Sequence, residues 1–191
     1  SHALNADNAI SASYAPSGGP IVDGDGTNSA RSSQQSASAA PNTNDLNIGG
    51  SNNTIASTNV GNYTIVGGTG NNIASPSFGN ASIFGSKNGT ITRGSDGTAM
   101  LGGINNSLTD TNNWSSVILG GSGLTISAGG KRRFMLGGED NTMGGGNDSF
   151  SGIIGGENNT STGHERSVII GGNTLSTTKD NEVVVPDLSI Y

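Results

Sequence analysis

The sequence predicts an all-β fold of short strands stacked in coils, a β-roll or β-helix whose repeat is about 17–18 positions long. Three observations predict this fold. A two-residue corner recurs eight times between Leu46 and Gly172. Two apolar residues precede nearly every corner, and another apolar residue usually follows it five positions later. A near-constant period of this length is typical of solenoids, in which each repeat packs only on its neighbours.

The corners are glycine pairs, with Ser86 as the single substitution. The intervals between successive corners are 18, 18, 17, 18, 17, 18 and 16. Glycine permits the left-handed backbone that tight corners require, so we interpret the pairs as structural corners, one per repeat. They are Gly49-Gly50, Gly67-Gly68, Gly85-Ser86, Gly102-Gly103, Gly120-Gly121, Gly137-Gly138, Gly155-Gly156 and Gly171-Gly172.

The two residues before each corner are apolar in every copy except the first, Asn47-Ile48. Consecutive side chains on a strand point to opposite faces, so both faces need cover. One face lines the coil interior, and the simplest cover for the other is a second copy of the chain. The pattern thus predicts a homo-oligomer. The pairs are Ile65-Val66, Ile83-Phe84, Met100-Leu101, Ile118-Leu119, Met135-Leu136, Ile153-Ile154 and Ile169-Ile170.

The apolar residue after the corner is present in six copies and is replaced by Ser161 and Thr177 in the last two. Two positions before it, five copies carry asparagine, which tolerates the left-handed conformation and can form stacked amide ladders. We expect these asparagines to be structural corner residues. The apolar residues are Ile55, Ile73, Ile91, Leu108, Ile126 and Met143, and the asparagines are Asn53, Asn71, Asn106, Asn141 and Asn159.

Four segments follow from this pattern. Residues 1–16 carry alanine at every third position, which fits either an extended stalk wound with other chains or a disordered linker. Residues 17–45 are interpreted as a linker or irregular cap, and residues 46–175 as the repeat domain. Residues 176–191 lose the repeat, and we expect an extended segment that leaves the stack before Pro186.

Composition supports this fold class. The chain has 33 glycines, 30% hydrophobic and 4% aromatic residues, which disfavours helices. A net charge of -6 with no basic stripe argues against nucleic acid as a partner. No apolar run is long enough to cross a bilayer, so no membrane insertion is expected. The absence of cysteine excludes disulfides and cysteine-based zinc sites.

The repeat resembles the β-roll heads of trimeric autotransporter adhesins, although their period is usually shorter. It is more similar to the repeat regions of bacteriophage tail fibres. Residues 167–190 look like the IIGG-xxN copies of such fibres, and Ala12–Ala15 look like their ASYA-type segments. The resemblance implies a parallel homotrimer on a virion with a role in host attachment. The alternatives are the head of a bacterial trimeric adhesin at the cell surface, or a spacer without receptor contact.

Enzymatic chemistry is not expected. Only His2 and His164 offer imidazole bases, and no nucleophile motif accompanies them. Calcium β-rolls repeat GGxGxD twice per turn, whereas here one glycine pair occurs per turn without the aspartate. Apolar residues drift from the six-residue period of acyltransferase β-helices, and the glycines at 144–146 lack a following Lys-Ser. We therefore expect no metal and no cofactor within the chain, and leave open an ion on a trimer axis.

The return loops after each second strand vary most, and loops on a rigid scaffold often carry binding residues. Two loops stand out: one contains Trp114 and the other contains Lys131, Arg132 and Arg133. With Arg166 they form a candidate receptor-binding edge for a host cell-surface glycan or protein. In the alternatives, Trp114 covers a coil end or packs between subunits, and the basic residues pair with Glu139, Asp148 and Glu165.

Overall fold

A computed structural model describes residues 22–23, 30–31, 45–56, 61–74, 79–92, 97–109, 115–127, 129–145 and 148–187. Within these residues the protein is all-β, with eighteen strands and no helix. The strands stack in parallel into a β-solenoid, which confirms the predicted fold class. The proposed stalk at residues 1–16 and most of the linker at 17–45 lie outside the described residues.

Sheet A contains the strand that precedes each glycine corner. Its order is β1-β2-β3-β5-β7-β9-β11-β13-β15-β17-β18, parallel except for the β1–β2 pair. The strands are β1 (Val22–Asp23), β2 (Ala30–Arg31), β3 (Leu46–Ile48), β5 (Gly61–Val66), β7 (Gly79–Phe84), β9 (Thr98–Leu101), β11 (Val117–Leu119), β13 (Phe134–Leu136), β15 (Gly152–Ile154), β17 (Val168–Ile170) and β18 (Val183–Val184).

Sheet B contains the strand that follows each corner. Its seven strands, like the coil strands of sheet A, pair in parallel with the equivalent strands of adjacent coils. They are β4 (Thr54–Ile55), β6 (Asn72–Ala74), β8 (Thr90–Thr92), β10 (Ser107–Thr109), β12 (Thr125–Ser127), β14 (Thr142–Gly144) and β16 (Thr160–Thr162). Among the described residues, the two sheets together make about seven complete turns, and β17 begins an eighth.

Between the sheets, single parallel bridges connect the corner residues of successive coils. We call this column the glycine-side edge. It is formed by Ser51, Thr69, Lys87, Ile104, Ser122, Glu139, Glu157 and Asn173. The backbone ladder therefore continues around the corner, which explains why the corner tolerates little change in length.

The core is a pair of stacked columns inside the solenoid. The first residue of each apolar pair points inward from sheet A, and the apolar residue after the corner points inward from sheet B. Ile118 and Ile126 are examples, each 0% exposed. Within a coil, the inward residue of sheet A and the inward residue of sheet B are always eight positions apart. From the sheet B residue to the inward residue of the next sheet A strand, the chain takes between eight and ten positions. The return loop therefore absorbs all of the variation in repeat length.

The glycine corner is needed for two separate reasons. Both glycines have positive φ, for example 67° at Gly120 and 80° at Gly121. A Cβ on Gly120 would meet no atom within 4 Å, whereas a Cβ on Gly121 would lie 2.9 Å from the carbonyl oxygen of Gly138 in the next coil. The first position thus requires glycine for its conformation, and the second also requires it for close stacking.

The corner asparagines have a different role from the predicted one. Asn141 is buried and is not among the residues with positive φ; the preceding residue, Asp140, takes that conformation at 50°. The Asn141 Oδ1 accepts a hydrogen bond from the Asn159 backbone N–H at 2.8 Å, and its Nδ2 donates to the Gly156 carbonyl at 3.1 Å. The inward asparagines therefore tie each coil to the backbone of the next, instead of forming amide ladders.

One coil shows how the exception at Ser86 is accommodated. Ser86 is buried and its hydroxyl donates to the Gly102 carbonyl at 2.8 Å. In the same coil Gly89 takes the asparagine position, where a Cβ would lie 2.6 Å from the Met100 sulfur. A serine at the corner thus supplies the link to the next coil that asparagine supplies elsewhere. The two departures from the repeat compensate each other.

The C-terminal end of the described chain differs from the prediction. Val183 and Val184 are extended, as expected, but they pair in parallel with Val168 and Ile169. The segment therefore continues sheet A instead of leaving the stack at this point. The reason is that β17 has an edge of unpaired backbone groups, which another strand can satisfy.

Candidate interaction surfaces

The outer face of sheet A is an apolar ribbon. The second residue of each pair points outward, and in the last six coil strands it is 38–44% exposed. A second outward column, two residues earlier, includes Val117, Phe134 and Val168, which are half-buried. The more exposed column consists of Phe84, Leu101, Leu119, Leu136, Ile154 and Ile170. At about 4.8 Å per strand, these six residues alone span roughly 24 Å.

Phe134 extends this ribbon along the stack. It lies opposite Gly152 in the register of β13 and β15, and a Cβ on that glycine would lie 2.2 Å from the ring. The ring therefore covers the next strand where that strand has no side chain of its own. This packing keeps the outer face of sheet A flat and apolar across the gap.

The outer face of sheet B has the same geometry and a different chemistry. Its outward positions are almost all threonine, serine or asparagine, the residues of a solvated strand face. The principal column, read in register, is Thr54, Asn72, Thr90, Ser107, Thr125, Thr142 and Thr160. Sheet B therefore needs no cover beyond water.

The corner that leads into sheet A forms another column, which we call the loop-side edge. Ser115, Arg132, Phe150, Arg166 and Asn181 occupy equivalent positions, and their φ values lie between 55° and 60°. Large side chains adopt this conformation at a cost of about 1–2 kcal/mol each. The glycine-side corner places mostly glycine, asparagine or aspartate at its own positive-φ positions. The loop-side edge thus carries large side chains where the backbone favours small ones.

Arg132 and Phe150 are in contact along this edge. The Arg132 guanidinium carbon lies 5.1 Å from the centroid of the Phe150 ring, a cation–π arrangement. Arg166, one coil further, forms an ion pair with Glu165 at 3.3 Å and donates through Nε to the Asn181 amide oxygen at 2.7 Å. Arg132 and Arg166 therefore lie two coils apart on one edge, as the sequence predicted.

The other predicted receptor residues lie elsewhere. Lys131 is exposed beside Arg132, whereas Arg133 is 1% exposed and points into the solenoid. The prediction that Arg133 belongs to an exposed receptor surface needs correction, because alternation along the chain turns it inward. Trp114 lies outside the described residues.

Arg133 belongs instead to a buried polar cluster. Its Nη1 donates to the Ser127 carbonyl at 3.0 Å, and its charge acts on the buried carboxylate of Asp148. Asp148 Oδ1 accepts from the Ser161 hydroxyl at 3.0 Å, while Oδ2 is buried and accepts no hydrogen bond from the described residues. The serine that breaks the apolar column is therefore the partner of an internal carboxylate.

Burial raises the pKa of Asp148 from its ordinary 3.8 to about 6, because desolvation outweighs the hydrogen bond from Ser161 and the charge of Arg133. At the same end of the solenoid, His164 Nδ1 lies 3.0 Å from the Thr177 hydroxyl, which donates to Ser161 at 3.4 Å. The histidine contacts a threonine and the aspartate contacts a different hydroxyl. These contacts form a chain of hydrogen bonds and do not assemble a nucleophile, base and orienting acid around one hydroxyl.

Comparison with known proteins adds no relative to these observations. No protein-family model, no curated protein and no solved structure matches the chain. Among the residues that the structure describes, no group of three or more potential metal ligands comes together. The same residues contain no helix that could cross a membrane.

Several features of these surfaces were not visible in the sequence. Phe150 carries the cation–π contact, but its alignment with Arg132 emerges only once the return loops are placed. The second outward column of sheet A is interrupted by Thr64, Ser82 and Gly152, so it does not appear as an apolar repeat. Ser161 departed from the apolar pattern, and that departure was the available signal for the buried polar cluster.

Proposed function

We propose that this chain is a segment of a homotrimeric bacteriophage tail fibre, in which parallel copies pack the outer faces of sheet A around a common axis. The observation that carries the proposal is the contrast between the two outer faces. Both faces repeat regularly from coil to coil, but only sheet A presents a continuous column of large apolar side chains, 38–44% exposed. Extended apolar surfaces of this kind are typical of protein interfaces.

The role of such an assembly is mechanical and multivalent. Three solenoids form a stiff rod, and each return loop is presented three times around it. Contacts that are weak singly gain strength when several engage at once. The resemblance of residues 167–190 to tail-fibre repeats supports the assignment to a virion. Trp114, Lys131, Arg132 and Arg166 stay the predicted receptor contacts, with a cell-surface glycan or protein as the ligand.

The first test is the solution mass of the full chain, measured by light scattering. A value three times 18.9 kDa supports the trimer, and a folded monomer overturns it. Attachment is tested separately with the trimer, by measuring its binding to a panel of bacteria. Trp114→Ala with Arg166→Ala should lower that binding at unchanged mass. Unchanged binding favours a spacer without receptor contact.

A bacterial trimeric adhesin is the second candidate, because the repeat also resembles the β-roll heads of such proteins. The two candidates place the chain on different particles. An antibody against the chain should label purified virions if the fibre proposal is correct. Labelling of the outer surface of uninfected cells would replace it with the adhesin.

A further inference from the structure

The two edges of sheet A carry opposite charges in the same coil. On the loop-side edge, Lys131 and Arg132 precede β13, and both are exposed. On the glycine-side edge, Glu139 and Asp140 follow β13 and are also exposed. Glu157 occupies the position equivalent to Glu139 in the next coil. Beside β13, the apolar ribbon therefore has a basic margin on one side and an acidic margin on the other.

The acidic margin is unfavourable for an isolated chain. Glu139 and Glu157 are joined by a parallel bridge, which places two like charges side by side on adjacent coils. Glu157 accepts hydrogen bonds from the Asn158 and Asn173 amides at 3.1 and 3.0 Å. No basic side chain of the described residues forms an ion pair with Glu139. The repulsion is thus softened by amides on one side only.

The nearest basic residues lie on the other edge of the same sheet. Arg132 precedes strand β13 and Glu139 follows it, so the two residues stand at opposite edges of sheet A. Arg132 stacks on Phe150 and is directed along its own edge. Another copy of the chain is therefore a source of a cation for this margin.

The symmetry of an assembly decides which margins meet. When copies are related by rotation about an axis parallel to the rod, the loop-side edge of one sheet A lies beside the glycine-side edge of the next. When two copies pack antiparallel, each edge meets the same edge of the other copy. Opposite charges therefore meet only in a parallel ring, and antiparallel packing brings like charges together, which is unfavourable.

We infer that Arg132 of one copy binds Glu139 of the partner subunit, and that this ion pair at the margin of the apolar ribbon fixes parallel, in-register association. The inference rests on the proposed homotrimer. It assigns Arg132 to the subunit interface and leaves Trp114 and Arg166 as the receptor candidates. Lys131 and Glu157 of the partner subunit extend the same complementarity to the neighbouring positions.

Cross-linking tests which edges meet, and the chain suits it because it contains no cysteine. The full chain carrying both Arg132→Cys and Glu139→Cys is treated with a flexible bis-maleimide. Covalent dimers and trimers are expected on a denaturing gel, because each copy joins the next. The matched control, Arg132→Cys alone, should stay uncross-linked. Covalent dimers from that single variant would show like edges together and overturn the inference.

Charge reversal tests whether the pair matters. Arg132→Glu should weaken subunit association roughly tenfold or more at low salt, because it places like charges together in each interface. Adding Glu139→Arg to the same chain should restore association. Lys87→Glu, which changes the net charge equally on the glycine-side edge of a distant coil, should have little effect.

The possible outcomes distinguish the ion pair between Arg132 and Glu139 from the homotrimer on which it rests. A wild-type chain that is monomeric overturns the homotrimer itself. A trimeric chain in which the double cysteine variant does not cross-link, or in which the charge swap fails to restore association, overturns only the assignment of Arg132 and Glu139. Cross-linking of the double variant together with restored association supports both.

Discussion

Sheets A and B send equivalent apolar side chains into one interior, as Ile118 and Ile126 show, but they differ on the outside. Sheet A presents Leu119 and its neighbours in the column, about 40% exposed, whereas sheet B presents Thr125 and other small polar residues. The interior therefore accounts for folding of the coil, and the exteriors differ in polarity: sheet B is polar, whereas sheet A leaves large apolar side chains partly exposed. The difference is in the side chains alone, because the backbone pairing is the same.

The largest expected effect comes from charging the apolar face. Leu119→Asp with Leu136→Asp should abolish assembly, since each copy would bury two carboxylates at a cost of several kcal/mol. The matched control is Thr125→Asp with Thr142→Asp, the register partners on the outer face of sheet B, which should leave the mass unchanged. Light scattering compares the two variants directly. Equal loss of assembly in both would remove the distinction between the faces.

The corner that joins the sheets should be more sensitive at its second glycine than at its first. In Gly137→Ala, the alanine must adopt the positive φ of 62° but meets no other atom, so the free energy of unfolding should fall by about 1–2 kcal/mol. Gly138→Ala also places a Cβ 2.5 Å from the Gly156 carbonyl oxygen, so its cost should be about 3 kcal/mol or more. Denaturant unfolding of both variants measures the difference. A larger effect at Gly137 would contradict the stacking argument.

The interior of the last coils should make stability depend on pH. Between about pH 4 and 6 folded Asp148 retains a proton that the unfolded chain has lost, because its pKa is raised from 3.8 to about 6. Stability therefore falls as the pH rises through this window, by about 3 kcal/mol at most. Asp148→Asn should flatten the slope of unfolding free energy in that window.

Glu182 acts in the opposite direction and at lower pH. Hydrogen bonds from the Thr178 and Lys179 backbone lower its pKa from 4.5, so its contribution is present above that value and is lost as the pH falls further. The two groups are thus separable by their windows. An unchanged slope between pH 4 and 6 in Asp148→Asn would show that the buried carboxylate does not titrate there.

The smallest effect is expected at the loop-side edge. Phe150→Asn loses a cation–π contact worth about 0.5–1 kcal/mol and gains a residue that tolerates its φ of 60°. These two contributions nearly cancel, so the thermal midpoint should change little. A large loss of stability would mean that the ring of Phe150 packs against another subunit in the assembly, a contact that a single chain does not make.

The fold could be predicted from the sequence because every coil repeats the same constraint. Paired apolar residues such as Ile118 and Leu119 specify an inward and an outward face, and the inward residue is indeed buried. The role of Asn141 could not be predicted, since its partners are backbone groups of the next coil, and sequence spacing alone does not show which residue of the corner turns left-handed.

The candidate surfaces were harder to predict from the sequence than the fold was. Arg133 appeared to continue an exposed basic cluster, but side-chain alternation into β13 directs it inward. Phe150 and Arg132 lie a full repeat apart along the chain, and only the register of sheet A makes them neighbours. Local composition identified the charged residues, whereas the register decided which of them share an edge.

The inward residues of each coil are always eight positions apart, whereas the return loops vary in length. The coil is therefore the unit by which the solenoid can be lengthened or shortened. A duplicated or deleted coil leaves the faces, corners and edges of every other coil where they were. Each such event changes the rod by about 4.8 Å. The length of the solenoid could therefore be adjusted in small, evenly sized increments during evolution, without redesign of the interior.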